Sequence, residues 1–264
     1  MVNEKPRKGW FLCMSNLKLG SLFSGSGGFE LAGTFYGIEP VWASEIEPFP
    51  IRVTTKRFPN MKHYGDVSKI DGAKVEPVDI ITFGSPCQDL SIAGKRAGLE
   101  DGLRSNLFYQ AVRIIKEMRK ATDNQYPRWA VWENVPGAFT SNNGEDFRSV
   151  LETLVSVKEN VSIPKLNQWN EAGSILGRDY SLAWRVLDAQ YWGVAQRRRR
   201  IFLVCDFDDQ CASKVLFESD GLSRYSAESI RAFQKAARTI KNGTRPSSGD
   251  GGGNYMNPTQ TIAE

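Results

Sequence analysis

Short apolar runs alternate with amphipathic segments through most of the chain, and this alternation constrains the fold more than any other property. Strands that alternate with helices in sequence bury their faces between those helices. The expectation is therefore an α/β fold with a doubly wound, mostly parallel sheet. Leu17 to Phe23 reads as a strand that turns through Ser24-Gly25-Ser26-Gly27-Gly28 into a helix from Phe29 to Tyr36. Pro40 to Glu45 reads as a second strand, followed by a helix from Phe49 to Arg57. The run Val78 to Phe83 is of the type expected for a strand buried on both faces. Ser105 to Ala121 is the clearest helix, with Leu107, Ala111, Ile114, Ile115 and Met118 on one face. Trp129 to Trp132 is a further short strand, and Tyr180 to Leu187 and Ile201 to Cys205 are late strands placed to pair with each other. Ser226 to Asn242 reads as an amphipathic helix with Ile230, Phe233, Ala237 and Ile240 inward, and Ser247 to Glu264 has the composition of a flexible segment.

Composition narrows the class. With 264 residues, 41% hydrophobic and 24% charged, the chain has the balance of a globular protein with a sizeable core. No apolar run approaches the ~18 residues needed to cross a bilayer, and the stretch Gly9 to Met14 is too short for a secretory signal. These features predict a cytoplasmic protein without a membrane segment. Four scattered cysteines and a single histidine, His63, predict neither a disulfide framework nor a metal site. Acid–base chemistry then falls to carboxylates, a thiol or lysine. The net charge of +4 says little about nucleic acid, but the basic residues cluster. Arg197 to Arg200 form a block of four, and Arg231, Lys235, Arg238, Lys241 and Arg245 form a second stretch.

Four segments at strand ends carry candidate chemistry. Phe23-Ser24-Gly25-Ser26-Gly27-Gly28 lets the backbone approach a ligand closely, although its spacing departs from the GxGxxG dinucleotide fingerprint. Glu45 ends the second strand, where such folds grip a ribose hydroxyl, and Asp66 follows the next segment. Gly84-Ser85-Pro86-Cys87-Gln88 places a thiol at the end of the strand Val78 to Phe83, in a loop also holding Lys95 and Arg96. Trp132-Glu133-Asn134-Val135-Pro136 places a carboxylate at the end of another strand. Gln196 to Arg200 leads into the last strand. Strand alternation there puts Arg198 and Arg200 on the face shared with Glu133, with Arg197 and Arg199 turned elsewhere. Taken singly, a Gly-rich turn, a buried cysteine and a solvated charge run each have a plain structural explanation.

In this order, from Leu17 to about Val204, the segments resemble the DNA cytosine-5 methyltransferases that use S-adenosyl-L-methionine. The resemblance implies a Rossmann-like methyltransferase fold with a late antiparallel strand. It implies that Phe23, Ser24, Gly25, Gly27 and Gly28 hold the methionine end of the cofactor. Glu45 and Ile46 would hold the ribose segment, and Asp66 and Val67 the adenine. Pro86 and Leu107 would complete the cofactor site. Cys87 is implied as the nucleophile that adds to C6 of a flipped-out cytosine. Glu133 would donate to N3, with Arg200 and Arg198 facing O2. Gln88, Ser91, Lys95 and Arg96 would meet double-stranded DNA.

The resemblance also implies a target-recognition region and closing motifs that the chain does not show. Asn257 to Thr261 is the nearest fragment of the latter. The expected organisation is an extension over 1–13, a catalytic and cofactor-binding domain over 14–205, and a partial recognition region over 206–264. A split enzyme needing a complementing C-terminal chain, a truncated gene product, a fragment of a longer protein, a tRNA-directed relative and an inactive DNA-binding remnant all stay open, with Ser85 and the motif set leaning to DNA. On this resemblance the cytoplasm is that of a bacterium or a phage-infected host.

Overall fold

The computed structural model describes residues 17–85, 107–166, 168–193 and 195–217. The extension 1–13, the Cys87 loop, the helix expected over Ser226–Asn242 and the segment Ser247–Glu264 lie outside the described residues. Five parallel strands come first: β1 (Lys18–Leu22), β2 (Glu39–Ser44), β3 (Lys62–His63), β4 (Ile80–Phe83) and β5 (Trp129–Asn134). Three more follow: β6 (Ala172–Leu176), β7 (Ser181–Asp188) and β8 (Arg199–Asp206). They form one eight-stranded sheet in the order β3-β2-β1-β4-β5-β8-β7-β6. β8 runs antiparallel to both β5 and β7, and β6 antiparallel to β7. The chain winds outward from β1 to β3 and then returns to place β4 on the other side of β1. The gap between the ends of β1 and β4 is thus a topological switch point, where open α/β sheets bind ligands.

The two faces of the sheet are packed differently. On one, Leu22, Trp42, Phe83, Trp132, Leu203 and Trp184 meet the helices α3 (Leu107–Ala121) and α4 (Glu145–Val155) in the main core. Phe147 of α4 is fully buried, with ring contacts to Trp132, Phe139, Trp169 and Trp184. Gly20 is needed on this face because a Cβ there would fall 2.2 Å from the Trp42 indole. On the other face, small residues let short helices approach. Ala43 packs with Phe58 and Met61, next to α1 (Gly28–Thr34) and α2 (Pro48–Arg57). Ala183 and Val204 pack with Ala212 of α5 (Ala212–Leu216). α5 thus packs on the same sheet from beyond residue 205.

Every strand read from the sequence is present, with ends shifted by a residue or two. Among the described strands and α-helices four are additional, one of them the five-residue α5. β3 is too short to carry a period, and β6 is a half-exposed edge strand. α4 follows an irregular stretch in which Asn142 and Asn143 adopt left-handed backbone and Gly144, at φ 82°, stands before the helix. Phe147→Ala should lower unfolding free energy by about 3–5 kcal/mol, the usual range for emptying a buried aromatic site. Denaturant titration of the two proteins checks this; a loss below about 1 kcal/mol would place Phe147 outside the cooperative core.

Candidate active site

Five segments meet along the carboxyl rim of the parallel strands. The first is the turn after β1. Phe23 sits in left-handed backbone at φ 56°, with Gly25 at 52° and Gly27 at 81°. A non-glycine residue in that region carries strain that surrounding contacts must hold. Here the Ser24 N–H donates to Ser44 O at 3.1 Å and the Gly27 N–H to Ser24 O at 3.0 Å. Gly27 has no room for a side chain, since a Cβ would lie 2.9 Å from Thr54 Cγ2, whereas the space beside Gly25 and Gly28 is open. The Ser24 hydroxyl is buried and has no hydrogen-bond partner among the described residues.

Glu45, just beyond β2, fastens this turn. Its Oε2 accepts the Gly25 N–H at 2.8 Å, and its Oε1 accepts the N–H groups of Ile46 and Glu47 at 2.8 and 3.0 Å. Three backbone donors fix the carboxylate, and its oxygens keep further lone pairs for other donors. Ile46 beside it is 67% exposed. The Ser44 hydroxyl donates to Gly65 O at 2.6 Å, bringing the Asp66 segment to the same rim. Asp66 Oδ1 accepts from both the N–H and the hydroxyl of Ser68, and these bonds hold its carboxyl below the ordinary range. Val67 is buried in the core, and Arg113 donates to its carbonyl at 3.2 Å. Leu107, the first described residue of α3, packs half-buried against the core.

The β4 and β5 ends are tied together. Ser85 is held from β5, with Asn134 Nδ2 donating to its carbonyl at 3.2 Å and Trp132 Nε1 to its hydroxyl at 3.4 Å. Pro86, Cys87, Gln88, Ser91, Lys95 and Arg96 lie outside the described residues, but the root of their loop is anchored beside Glu133. Space is tight at Gly84, where a Cβ would come 3.2 Å from Glu133 Oε2 and press on that carboxylate. Across the β5–β8 pair, Arg200 Nε lies 2.9 Å from Glu133 Oε1 and Arg198 Nη2 lies 4.0 Å from it. Arg199 turns away and pairs with Glu171. The alternation read from the arginine block is the one observed.

Three supporting residues take no role from the sequence alone, although Asn134 stands in the segment around Glu133. Asn134 locks the Ser85 loop root. Asp188 accepts the Arg198 N–H at 2.9 Å and so fixes the start of β8. Glu30 of α1 is 0% exposed, and both its oxygens lack hydrogen-bond partners among the described residues. The Ser21 hydroxyl near it is bonded to Thr82 at 3.0 Å. Burial pushes the Glu30 carboxyl above the ordinary range, and its own backbone N–H and the Ser21 hydroxyl oppose this more weakly. No group of three or more histidines, cysteines or carboxylates that could hold a metal occurs among the described residues, and no described helix is long and apolar enough to cross a membrane.

Residues 17–246 match the family model for C-5 cytosine-specific DNA methylases. The DNA N-6-adenine-methyltransferase of Escherichia phage P1 is 34% identical over 274 residues, covering 93% of this chain and 35% of that protein. Type II methyltransferase M.HhaI of Haemophilus parahaemolyticus is 32% identical over 196 residues, covering 74% of this chain and 51% of that protein. The chain thus spans between about a third and a half of the length of these relatives. The name of the phage P1 protein belongs to the whole of it, of which the match is a part. A solved structure of a Spodoptera frugiperda DNMT2 variant superposes with a TM-score of 0.51 at 22% identity, covering 72% of this chain and 50% of that one, which shows a common fold.

Because the folded Glu30 carboxyl holds its proton to higher pH than the unfolded one, its contribution to stability is complete below the ordinary carboxylate range. That contribution is lost as pH rises through the raised value. Glu30→Gln should therefore match the parent at acidic pH and exceed it in unfolding free energy at mildly alkaline pH. Denaturant unfolding across that range measures the difference; a constant gap would show that the Glu30 carboxyl titrates alike in the folded and unfolded states.

Proposed function

The chain belongs to the C-5 cytosine-specific DNA methylase family, and from that premise we propose that it is the catalytic and cofactor-binding portion of an enzyme that methylates C5 of cytosine in double-stranded DNA. The observation that carries this reading is the Glu133–Arg200 pair, 2.9 Å apart at the strand end beside the anchored root of the Cys87 loop. Residues 14–205 are assigned the catalytic work and 206–264 the beginning of a recognition region. A further polypeptide, in the same or a second chain, supplies the remainder.

The turn after β1 fits S-adenosyl-L-methionine. Its open side at Gly25 and Gly28 admits the methionine end, and the unpartnered Ser24 hydroxyl is a polar group ready for that end. Glu45, held by three N–H groups, offers lone pairs to the ribose hydroxyls. Ile46 presents an exposed apolar face to the adenine, and the second oxygen of Asp66 is available to its amino group. Pro86 and Leu107 close the site from the Cys87 side. When bound, the cofactor supplies a methyl group on a sulfonium, electrophilic toward carbon.

The chain's own residues must make cytosine C5 a nucleophile. A base stacked in the duplex is out of reach, so it is extruded at a cost of a few kcal/mol. The Cys87 thiolate then forms a bond to C6, and the ring electrons move toward C5, N3 and O2. Glu133 holds a proton at N3. Arg200, with Arg198 behind it, faces O2 and stabilises the charge that develops there. Once C5 has bonded the methyl group that the cofactor would supply, loss of the C5 proton to solvent and expulsion of the Cys87 thiolate would restore the aromatic ring and the free enzyme. Gln88, Ser91, Lys95 and Arg96 are assigned to the DNA side of the same loop.

Cys87→Ser should abolish methyl transfer while leaving cofactor affinity intact; turnover by the purified variant near the parent's rate would remove Cys87 from the covalent step. Glu45→Ala should weaken cofactor binding by about 1–3 kcal/mol, because a charged hydrogen-bond partner is lost and the Gly25 N–H is released. Isothermal titration decides it, and an unchanged affinity would take Glu45 out of the cofactor site.

A further inference from the structure

The connection between β7 and β8, residues 189–198, is closed at its neck; residue 194 within it lies outside the described residues. At the neck, the Ala189 N–H donates to Arg198 O at 3.0 Å. The buried Asp188 carboxylate accepts the Arg198 N–H at 2.9 Å and the Gln190 side-chain amide at 2.9 Å. The loop is thereby held as a unit at the rim that carries Glu133. At the tip, the short 3-10 helix Ala189–Trp192 ends in Gly193 at φ 84° and presents two neighbouring aromatic side chains outward. Tyr191 is 72% exposed and Trp192 57% exposed.

Single exposed aromatics are ordinary, but two adjacent ones on a loop that also carries two arginines are a composite surface. Residues 189–198 contain no acidic side chain, and their two charges are Arg197 and Arg198. Arg198 is turned toward Glu133. Arg197 is exposed and forms no ion pair among the described residues. Exposed aromatic faces and an exposed guanidinium on one loop suit a polyanion whose units carry both a phosphate and a flat ring. A purely apolar partner would leave Arg197 without a counter-charge, and an acidic peptide would leave the two rings without flat partners.

We propose that the 189–198 loop is a nucleic-acid contact, in which Tyr191 and Trp192 pack against bases of the strand that delivers its cytosine to Glu133 while Arg197 neutralises a phosphate of that strand. The proposal rests on the functional reading above and adds to it a surface outside the Cys87 loop. It also explains the bracing by Asp188. The arginine that faces the reacting base and the residues that hold its strand move as one piece, so docking of the strand sets the position of Arg198.

The test is fluorescence anisotropy of the full chain with a labelled mixed-sequence duplex, and with the same duplex carrying one unpaired cytosine, over a range of salt. Tyr191→Ala should weaken binding about tenfold, most for the duplex with the unpaired base, at an unchanged salt slope. Tyr191→Phe should restore binding because it keeps the ring. Arg197→Ala should reduce the salt slope by about one. Cofactor affinity, read by calorimetry on the same preparations, should not move. Parent-like affinity and salt slope in both Tyr191→Ala and Arg197→Ala would overturn the proposal while leaving the functional reading in place. So would a Tyr191→Ala effect seen only in self-association by sedimentation, which would mark a protein interface. A parent chain that binds cofactor but neither duplex would overturn both.

Discussion

The ion pair between Glu133 and Arg200 exists because β8 runs antiparallel to β5. A parallel strand in that position would start at the far end of the sheet and carry its first residues away from the rim. Antiparallel pairing instead brings the beginning of β8 to the end of β5, with Glu133 opposite Phe202 and Arg200 on the diagonal of the same face. Everything else at the site is arranged around that meeting point. Gly84 keeps the space clear, Asn134 and Trp132 hold the adjacent loop root, and Asp188 fixes where β8 begins.

The cofactor half of the site depends on a different device. The turn after β1 adopts left-handed backbone at Phe23, Gly25 and Gly27, and such a turn does not hold itself. Glu45 reaches across from the next strand to take the Gly25 N–H, and the Ser24 N–H reaches back to Ser44 O. The turn and the end of β2 therefore form one rigid unit. Its open side faces the switch point between β1 and β4, so the methyl donor and the acceptor base are assigned to neighbouring loops of one rim.

Much of this was legible in the sequence because it lies in local pattern. The strand-turn-helix signal at Leu22 to Thr34, the amphipathic face of Leu107–Ala121 and the every-second-residue geometry of Arg198 and Arg200 each need only a short window. What was not legible depends on partners far away in sequence. Glu45 read as a ribose ligand, and nothing local said that three N–H groups would fix it. Val67 read with the adenine segment, and nothing local announced that its side chain would be buried in the core. α4 was missed because left-handed asparagines interrupt its approach, and its burial is decided by Trp169 and Trp184 from later segments. Glu30 looked like an ordinary acidic residue in a first helical turn, yet it is fully buried against β1. Asp188 acts through a backbone N–H ten residues on.

The central claim is that this rim methylates a carbon of cytosine. The most direct measurement is transfer of a labelled methyl group from S-adenosyl-L-methionine to duplex DNA by the chain combined with a polypeptide supplying the remaining length of a relative, followed by digestion of the DNA to nucleosides. The account predicts that the label is recovered in 5-methyldeoxycytidine. Label recovered in N6-methyldeoxyadenosine, or none in DNA from an assembly that binds both cofactor and duplex, would contradict it.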